Sequence, residues 1–89
     1  MEIKKEAFAG TLESNDLLVQ VAPGESGREI NIDSKVSLQF FDRIEELVVF
    51  TLDKFHVENI VLKITDMGAL DFTIQSRVET ALFRAGAEK

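Results

Sequence analysis

The apolar patterns along the chain predict an α+β fold, a single-layer, mostly antiparallel sheet in the order β-β-β-α-β-α with both helices packed on one face. Three observations predict it. Period-two alternation runs through 7–21 and 28–33 and returns in Ile60-Val61-Leu62-Lys63-Ile64-Thr65; three-and-four spacing takes over after Asp33-Ser34 and again after Asp71; and Gly, Pro, Asn and Asp punctuate the joins. Eighty-nine residues fit one domain, 1–89, that buries roughly 60–65% of its unfolded surface around a single thin core.

The first two strands are expected to form a hairpin about Gly10-Thr11-Leu12-Glu13-Ser14-Asn15-Asp16. A two-residue loop at Ser14-Asn15 would set Glu13 against Asp16, Leu12 against Leu17, Gly10 against Val19 and Phe8 against Val21. One face then collects Phe8, Leu12, Leu17, Val19 and Val21. A three-residue loop would pair Gly10 with Gln20 and Phe8 with Ala22, which breaks that face. Asn15 tolerates the left-handed conformation of a tight turn, and Ser14 would stand in water at its tip. Opposed Glu13 and Asp16 are like charges across the strands, a local conflict of the kind that marks a functional position. Ser, Asn and Asp are also ordinary turn residues, so the pattern alone fits a plain turn as well.

Pro23-Gly24-Glu25-Ser26-Gly27 then turns the chain, and Ile30 and Ile32 of the third strand point to the same side as the hairpin's apolar face, extending it to a three-stranded meander. Asp33 and Ser34 suit the N-cap of a helix from Lys35, with Val36, Phe40, Ile44, Leu47, Thr51 and Phe55 on one stripe and Phe41, Val48 and Leu52 widening it. Leu38, Val49 and Phe50 fall on the other side, where they are either a second contact surface or scattered exposed apolar residues. His56-Val57-Glu58-Asn59 connects to the fourth strand, whose Ile60, Leu62 and Ile64 point inward. After the turn Asp66-Met67-Gly68-Ala69, Asp71 is expected to cap a second helix with Ile74, Val78, Ala81, Leu82 and Ala85 inward, ending near Gly86 before the polar tail 87–89. The position of the fourth strand in the sheet stays open between a parallel crossover and an antiparallel edge.

Composition narrows the function classes. Ten basic against sixteen acidic side chains give a formal charge of −6, which disfavours a nucleic-acid partner and suits a basic protein surface or plain solubility. Without cysteine the domain rests on its apolar core, as fits a reducing cytoplasm, and neither a signal segment nor a membrane-spanning run is expected. Serine hydrolysis needs a base held within reach, and the single His56 sits in a connection with no sequence reason to approach Ser14. No spacing of His or Cys suggests a metal site, and Gly24-Glu25-Ser26-Gly27 lacks the Lys of a phosphate-cradling loop. The chain reads as a non-catalytic protein.

An exposed serine on a stiff turn suits covalent modification by a second enzyme, guided to it by Glu13 and Asp16. The same two carboxylates would repel a phosphate, so an attached arm would stand away from the domain. Ala9-Gly10-Thr11-Leu12-Glu13-Ser14 followed by Asp16, then Val21-Ala22-Pro23, Gly68-Ala69-Leu70-Asp71 and Arg77-Val78-Glu79-Thr80-Ala81-Leu82, resembles the acyl carrier subunit, or gamma chain, of bacterial citrate lyase over nearly the whole chain. That resemblance implies that Ser14 carries phosphoribosyl-dephospho-CoA through a phosphodiester, flanked by Glu13, Asn15 and Asp16. It further implies that the thiol of this arm presents acetyl or citryl groups to the alpha (transferase) and beta (lyase) subunits converting citrate to acetate and oxaloacetate, after a prosthetic-group transferase has loaded it. The chain departs from the pattern at Asn15, where glycine or serine is usual, at Phe72, where cysteine is common, and at Gln75 and Ser76, where basic residues often occur. Two alternatives accompany this expectation: a carrier of the malonate decarboxylase type, and a non-covalent adaptor using Leu38, Val49 and Phe50.

Overall fold

The computed structural model of the chain describes residues 1–34 and 41–86. Four strands and two helices follow in the order β1 (Ala7–Gly10), β2 (Leu17–Pro23), β3 (Arg28–Ser34), α1 (Phe41–Lys54), β4 (Ile60–Asp66) and α2 (Asp71–Arg84). The α+β class and the element order are those read from the sequence. Expectations for Lys35, Val36, Leu38, Phe40 and the tail 87–89 lie outside the described residues.

The sheet order is β1-β2-β4-β3, so the three-stranded meander is not formed. β2 pairs antiparallel with β1 and with β4, whereas β3 runs parallel to β4 at the far edge. Burial explains the arrangement. Ile60, Leu62 and Ile64 have no exposed surface, so β4 belongs in the centre, while Ile30 and Ile32 of β3 are only half-buried and its alternate residues face water. The turn after Pro23 does reverse the chain, but it steps over the start of β4 instead of hairpinning onto β2. Ile60 N–H donates to Gly27 O at 3.1 Å, and Gly27 N–H donates to Asn59 Oδ1 at 2.7 Å.

The hairpin register is one residue away from the expected one. Ala9 lies opposite Val19 and Phe8 opposite Gln20, so Ala9 points into the core and Phe8 is 60% exposed. β1 ends at Gly10, and Leu12 is also exposed. Gly10 takes φ +93°, and a Cβ there would stand 1.9 Å from Leu17 O, a position open only to glycine. Because β1 packs against α2, a small Ala9 lets the helix approach where an inward Phe8 would hold it off.

Both helices lie on the face that carries Ala9, Leu17, Val19, Val21, Leu62 and Ile64, and together they close the core. α1 contributes Ile44, Val48, Thr51 and Leu52, and the Thr51 hydroxyl donates to Leu47 O within the helix at 2.8 Å. α2 buries Ile74, Val78, Ala81 and Leu82, followed by Ala85, as its spacing predicts. Each side chain of this size buried from water stabilises the fold by roughly 1.5–3 kcal/mol for Leu, Ile or Val. The helices are also joined by Arg43–Asp71 and Lys54–Glu79 ion pairs. Ser34 is the last residue of β3 and its hydroxyl donates to Asp66, with Asp33 beside it in the strand, and the helix start at Lys35 that they are expected to cap lies outside the described residues. One cap assignment changes. Leu70 occupies the N-cap of α2 with no side-chain bond, and Asp71 is the first helical residue, drawn to Arg43 of α1. A carboxylate in a first turn still complements the helix dipole from there. Among the described residues no helix is long and apolar enough to cross a membrane.

Candidate functional site

The loop between β1 and β2 contains a tight turn at the expected place. Asp16 N–H donates to Glu13 O at 3.2 Å, with Ser14 and Asn15 as the central residues and Asn15 at φ 67°. This turn does not continue the β1–β2 ladder. Side chains replace ladder bonds: Leu17 N–H donates to Asp16 Oδ1 at 2.8 Å, Thr11 Oγ1 donates to Asp16 Oδ2 at 2.8 Å, and Glu13 N–H donates to Thr11 Oγ1 at 3.1 Å.

The turn is fastened to two other parts of the chain. Asn15 N–H donates to Met67 O at 2.8 Å and Met67 N–H returns to Asp16 O at 2.9 Å, so the loop after β4 grips the turn through its backbone. Arg77 of α2 then reaches the Asp16 carboxylate with both arms of its guanidinium, Nε to Oδ1 at 3.1 Å and Nη2 to Oδ2 at 3.0 Å. Such a fork fixes orientation as well as charge. The Asp16 side chain keeps only 13% of its surface exposed. Burial pushes its carboxyl upward, but hydrogen bonds from Arg77, Leu17 N–H and Thr11, with the charge of Arg77, outweigh that and hold it below the ordinary value of 3.8.

The gripping loop has its own buried carboxylate. Asp66 is 2% exposed and accepts from Gly68 N–H at 3.2 Å, Ala69 N–H at 3.0 Å and the Ser34 hydroxyl at 3.0 Å. Gly68 at φ 98° allows the sharp bend that aims both amides back at that carboxylate. A chain of contacts therefore runs from β3 through Asp66 and Met67 to the Ser14 turn and on to α2.

Ser14, Glu13 and Asn15 are all exposed, and among the described residues no group pairs with the Ser14 hydroxyl or the Glu13 carboxylate. The symmetric pair of flanking acids expected from the sequence is corrected: Asp16 turns inward onto Arg77, and Glu13 alone faces water. The reason is that Arg77 offers a planar fork, which α2 brings to the tip only in the folded chain. Repulsion between Glu13 and Asp16 is thereby neutralised.

His56 belongs to another part of the molecule. It follows the C-terminal end of α1, at φ 55°, where its carbonyl accepts from the Met1 ammonium at 3.0 Å. Eleven residue steps of α1, about 16 Å of helix, lie between Lys54 at that end and Arg43, which meets the start of α2. Among the described residues no group of three or more His, Asp or Glu side chains could hold a metal ion. Arg77 and Asp66 organise the site and are not among the residues that the sequence singles out for it. Asp66 carried a usable signal, an Asp two residues before a Gly in a turn, whereas Arg77 between Ile74 and Val78 reads only as a helix-face cation.

A hollow of about 690 Å³ opens beside the turn, lined by Asn15, Met67, Leu70, Phe72 and Ile74 with Arg43 at its edge. Leu70 is 63% exposed, Phe72 68% and Leu12 56%. The arrangement is a pedestal with a free hydroxyl at its top and an apolar border, and among the described residues no side chain is hydrogen-bonded to that hydroxyl.

Residues 4–85 match the family described as ACP: Malonate decarboxylase delta subunit (MdcD). The chain is 51% identical to the citrate lyase acyl carrier protein of Treponema denticola, over 96% of this chain and 97% of that one. It is 41% identical to the citrate lyase acyl carrier protein of Halothermothrix orenii, over 100% of this chain and 97% of that one. Its fold is similar to a chain in the crystal structure of a Pseudomonas malonate decarboxylase hetero-tetramer in complex with malonate, with a TM-score of 0.83 at 24% identity, over 97% of this chain and 89% of that chain.

Proposed function

We propose, from the premise that the chain belongs to the acyl carrier family of citrate lyase acyl carrier proteins and the malonate decarboxylase delta subunit, that it is the acyl carrier subunit of a citrate lyase, loaded at Ser14. In this role it serves a complex and performs no catalysis itself. The prosthetic group is phosphoribosyl-dephospho-CoA, joined to the Ser14 oxygen by a phosphodiester. The partners are the alpha (transferase) and beta (lyase) subunits, with a prosthetic-group transferase acting first, in the cytoplasm.

The observation that carries the reading is the unpaired Ser14 hydroxyl on a turn anchored from two sides, in a chain whose full-length relatives are acyl carriers. The residues fit such a group. Ser14 supplies an accessible oxygen, Asn15 supplies the left-handed residue that lifts it, and Asp16 with Arg77 holds the turn against α2. Glu13 presents a negative charge next to the attachment oxygen and gives a phosphodiester no reason to lie back on the domain. When bound, the arm supplies a terminal thiol to carry an acyl group between subunits. Tethering keeps that group at an effective concentration in the millimolar range for a short flexible link, so the chain contributes reach and position while the partners contribute chemistry.

The test is intact mass and peptide mapping of the chain produced together with citrate lyase partners and modifying enzymes. A single adduct on the peptide containing Ser14 is expected, absent in Ser14→Ala with the far-ultraviolet circular dichroism unchanged. An unmodified wild-type chain under conditions that load a related carrier would end the reading. The family match and the shared fold also favour a malonate decarboxylase carrier as a second reading. Reconstitution separates the two: the loaded chain should restore citrate cleavage to carrier-depleted citrate lyase, and not malonate decarboxylation. The adaptor alternative retains an exposed Phe50 and a half-buried Val49 on α1, and it requires partner binding with no adduct at all.

A further inference from the structure

Loading Ser14 places a demand on the molecule that delivery of an acyl group does not. A partner served by the arm can be reached across the length of that arm, but the enzyme that attaches it must touch Ser14 itself. The Ser14 oxygen attacks the phosphorus of a donor activated as a phosphoanhydride. One O–P ester bond forms, the anhydride P–O bond breaks, the phosphate or polyphosphate leaving group departs, and the hydroxyl proton passes to a base of the enzyme. A protein interface of ordinary size covers about 800 Å² on each side, a patch of roughly 16 Å radius. The molecule measures 31 × 20 × 18 Å, so a patch centred on Ser14 takes in the whole end of it.

That end carries exposed apolar side chains. Leu12, two residues before Ser14, is 56% exposed, and Leu70 and Phe72, at the start of α2 just after the loop whose Met67 grips Asn15, are 63% and 68% exposed. Leu70 and Phe72 line the same hollow of about 690 Å³ as Asn15, a volume with room for a side chain from outside. The only acid at the tip left without a partner among the described residues is Glu13. An active site that holds a phosphoanhydride donor is cationic, and it would attract an acidic tip.

We propose that Leu12, Leu70 and Phe72, with Glu13 at their edge, form the surface on which the enzyme that esterifies Ser14 docks. The inference rests on the carrier reading above and adds to it where the first partner binds. The apolar residues supply the buried anchors of the interface, Glu13 sets approach and orientation, and the two-sided anchoring of the turn presents the hydroxyl without an ordering cost at the moment of contact.

The experiment measures the rate of adduct formation by mass spectrometry, using unloaded full-length chain, a prosthetic-group transferase from a citrate lyase system and its phosphoanhydride donor. The chain concentration is varied to obtain kcat and KM. Leu70→Ser combined with Phe72→Ser is expected to lower kcat/KM at least about tenfold, chiefly through KM, as loss of interface anchors does. Glu13→Gln should lower it about threefold, with the difference shrinking as salt is raised. Phe8→Ser and Phe50→Ser, equally exposed residues of β1 and α1, serve as controls and should stay within about twofold of wild type. Urea unfolding of each variant separates loss of docking from loss of fold. Wild-type loading of the double variant would overturn the proposal. So would normal loading accompanied by weakened assembly with the served subunits, or by loss of a self-association seen in wild type, since the surface would then belong to those partners. Failure of the wild-type chain to accept any arm would remove the carrier reading, and this proposal with it.

Discussion

The two ends of the sheet are held rigid by different physics. At one end Pro23–Gly27 steps across β4 with its shape set by backbone: Gly24 packs so closely on Ile60 that a Cβ would stand 2.5 Å from the Ile60 nitrogen, and Gly27 exchanges bonds with Ile60 and Asn59. At the other end the Ser14 turn is held by carboxylates, Asp16 on Arg77 and Asp66 on the loop amides and Ser34. The hydrogen bonds that shape the Pro23–Gly27 turn involve no titrating group. A carboxylate-set turn can be released one anchor at a time, which suits the end that has to present a side chain to other proteins.

Four measurements sharpen that contrast, the largest effect first. Asp66→Ala leaves two amides and a hydroxyl without their buried acceptor and should cost roughly 3 kcal/mol of unfolding free energy in urea. Asp66→Asn keeps an oxygen for the amides and should recover about half of it. At the backbone-set end, Gly24→Ala forces a methyl group against the main chain of the central strand, and about 2 kcal/mol is expected, the same at pH 7 as at pH 4. A pH-dependent loss there would collapse the comparison.

Asp16→Ala comes third, at about 1–2 kcal/mol, because the pair it breaks keeps Arg77 partly in water. Its more telling signature is local: the amides of Asn15 and Met67 should exchange hydrogen faster, while those of β4 keep their protection. The smallest effect is the titration of that same anchor. The folded carboxyl of Asp16 lies below 3.8, so its contribution is complete above the unfolded value and is lost as pH falls through the lower folded one. The stability gap between wild type and Asp16→Asn should therefore be constant from pH 7 to about 5 and close below about 4. A gap that instead widens on acidification would mean that the carboxylate does not hold the turn.

Particular residues mark where reading the sequence reached and where it stopped. The inward stripe of α2 and the three isoleucine and leucine positions of β4 were legible because burial imposes a period on the chain itself. The hairpin register was not: Phe8 is the larger apolar residue and the local pattern puts it in the core, yet Ala9 fills it, because the space is set by how closely α2 lies on β1. The capping role of Asp71 failed for a related reason: Asp71 pairs with Arg43, distant in sequence, and Leu70 takes the N-cap. At the candidate site, the turn residues and the exposure of Ser14 followed from local chemistry, whereas the inward rotation of Asp16 did not.

By itself the sequence determined which segments become strands and helices, which of their faces are apolar, and that a tight turn places Ser14 in water, because these depend on neighbours within a few residues. Only the tertiary structure decided that β4 enters between β2 and β3, that Ala9 rather than Phe8 points inward, and that Arg77 arrives to take one of the two acids beside the serine. Those outcomes depend on how closely separate elements approach and on pairings across as many as sixty-one positions of chain. Such contacts are selected by packing and charge in three dimensions, and a local pattern carries no record of them.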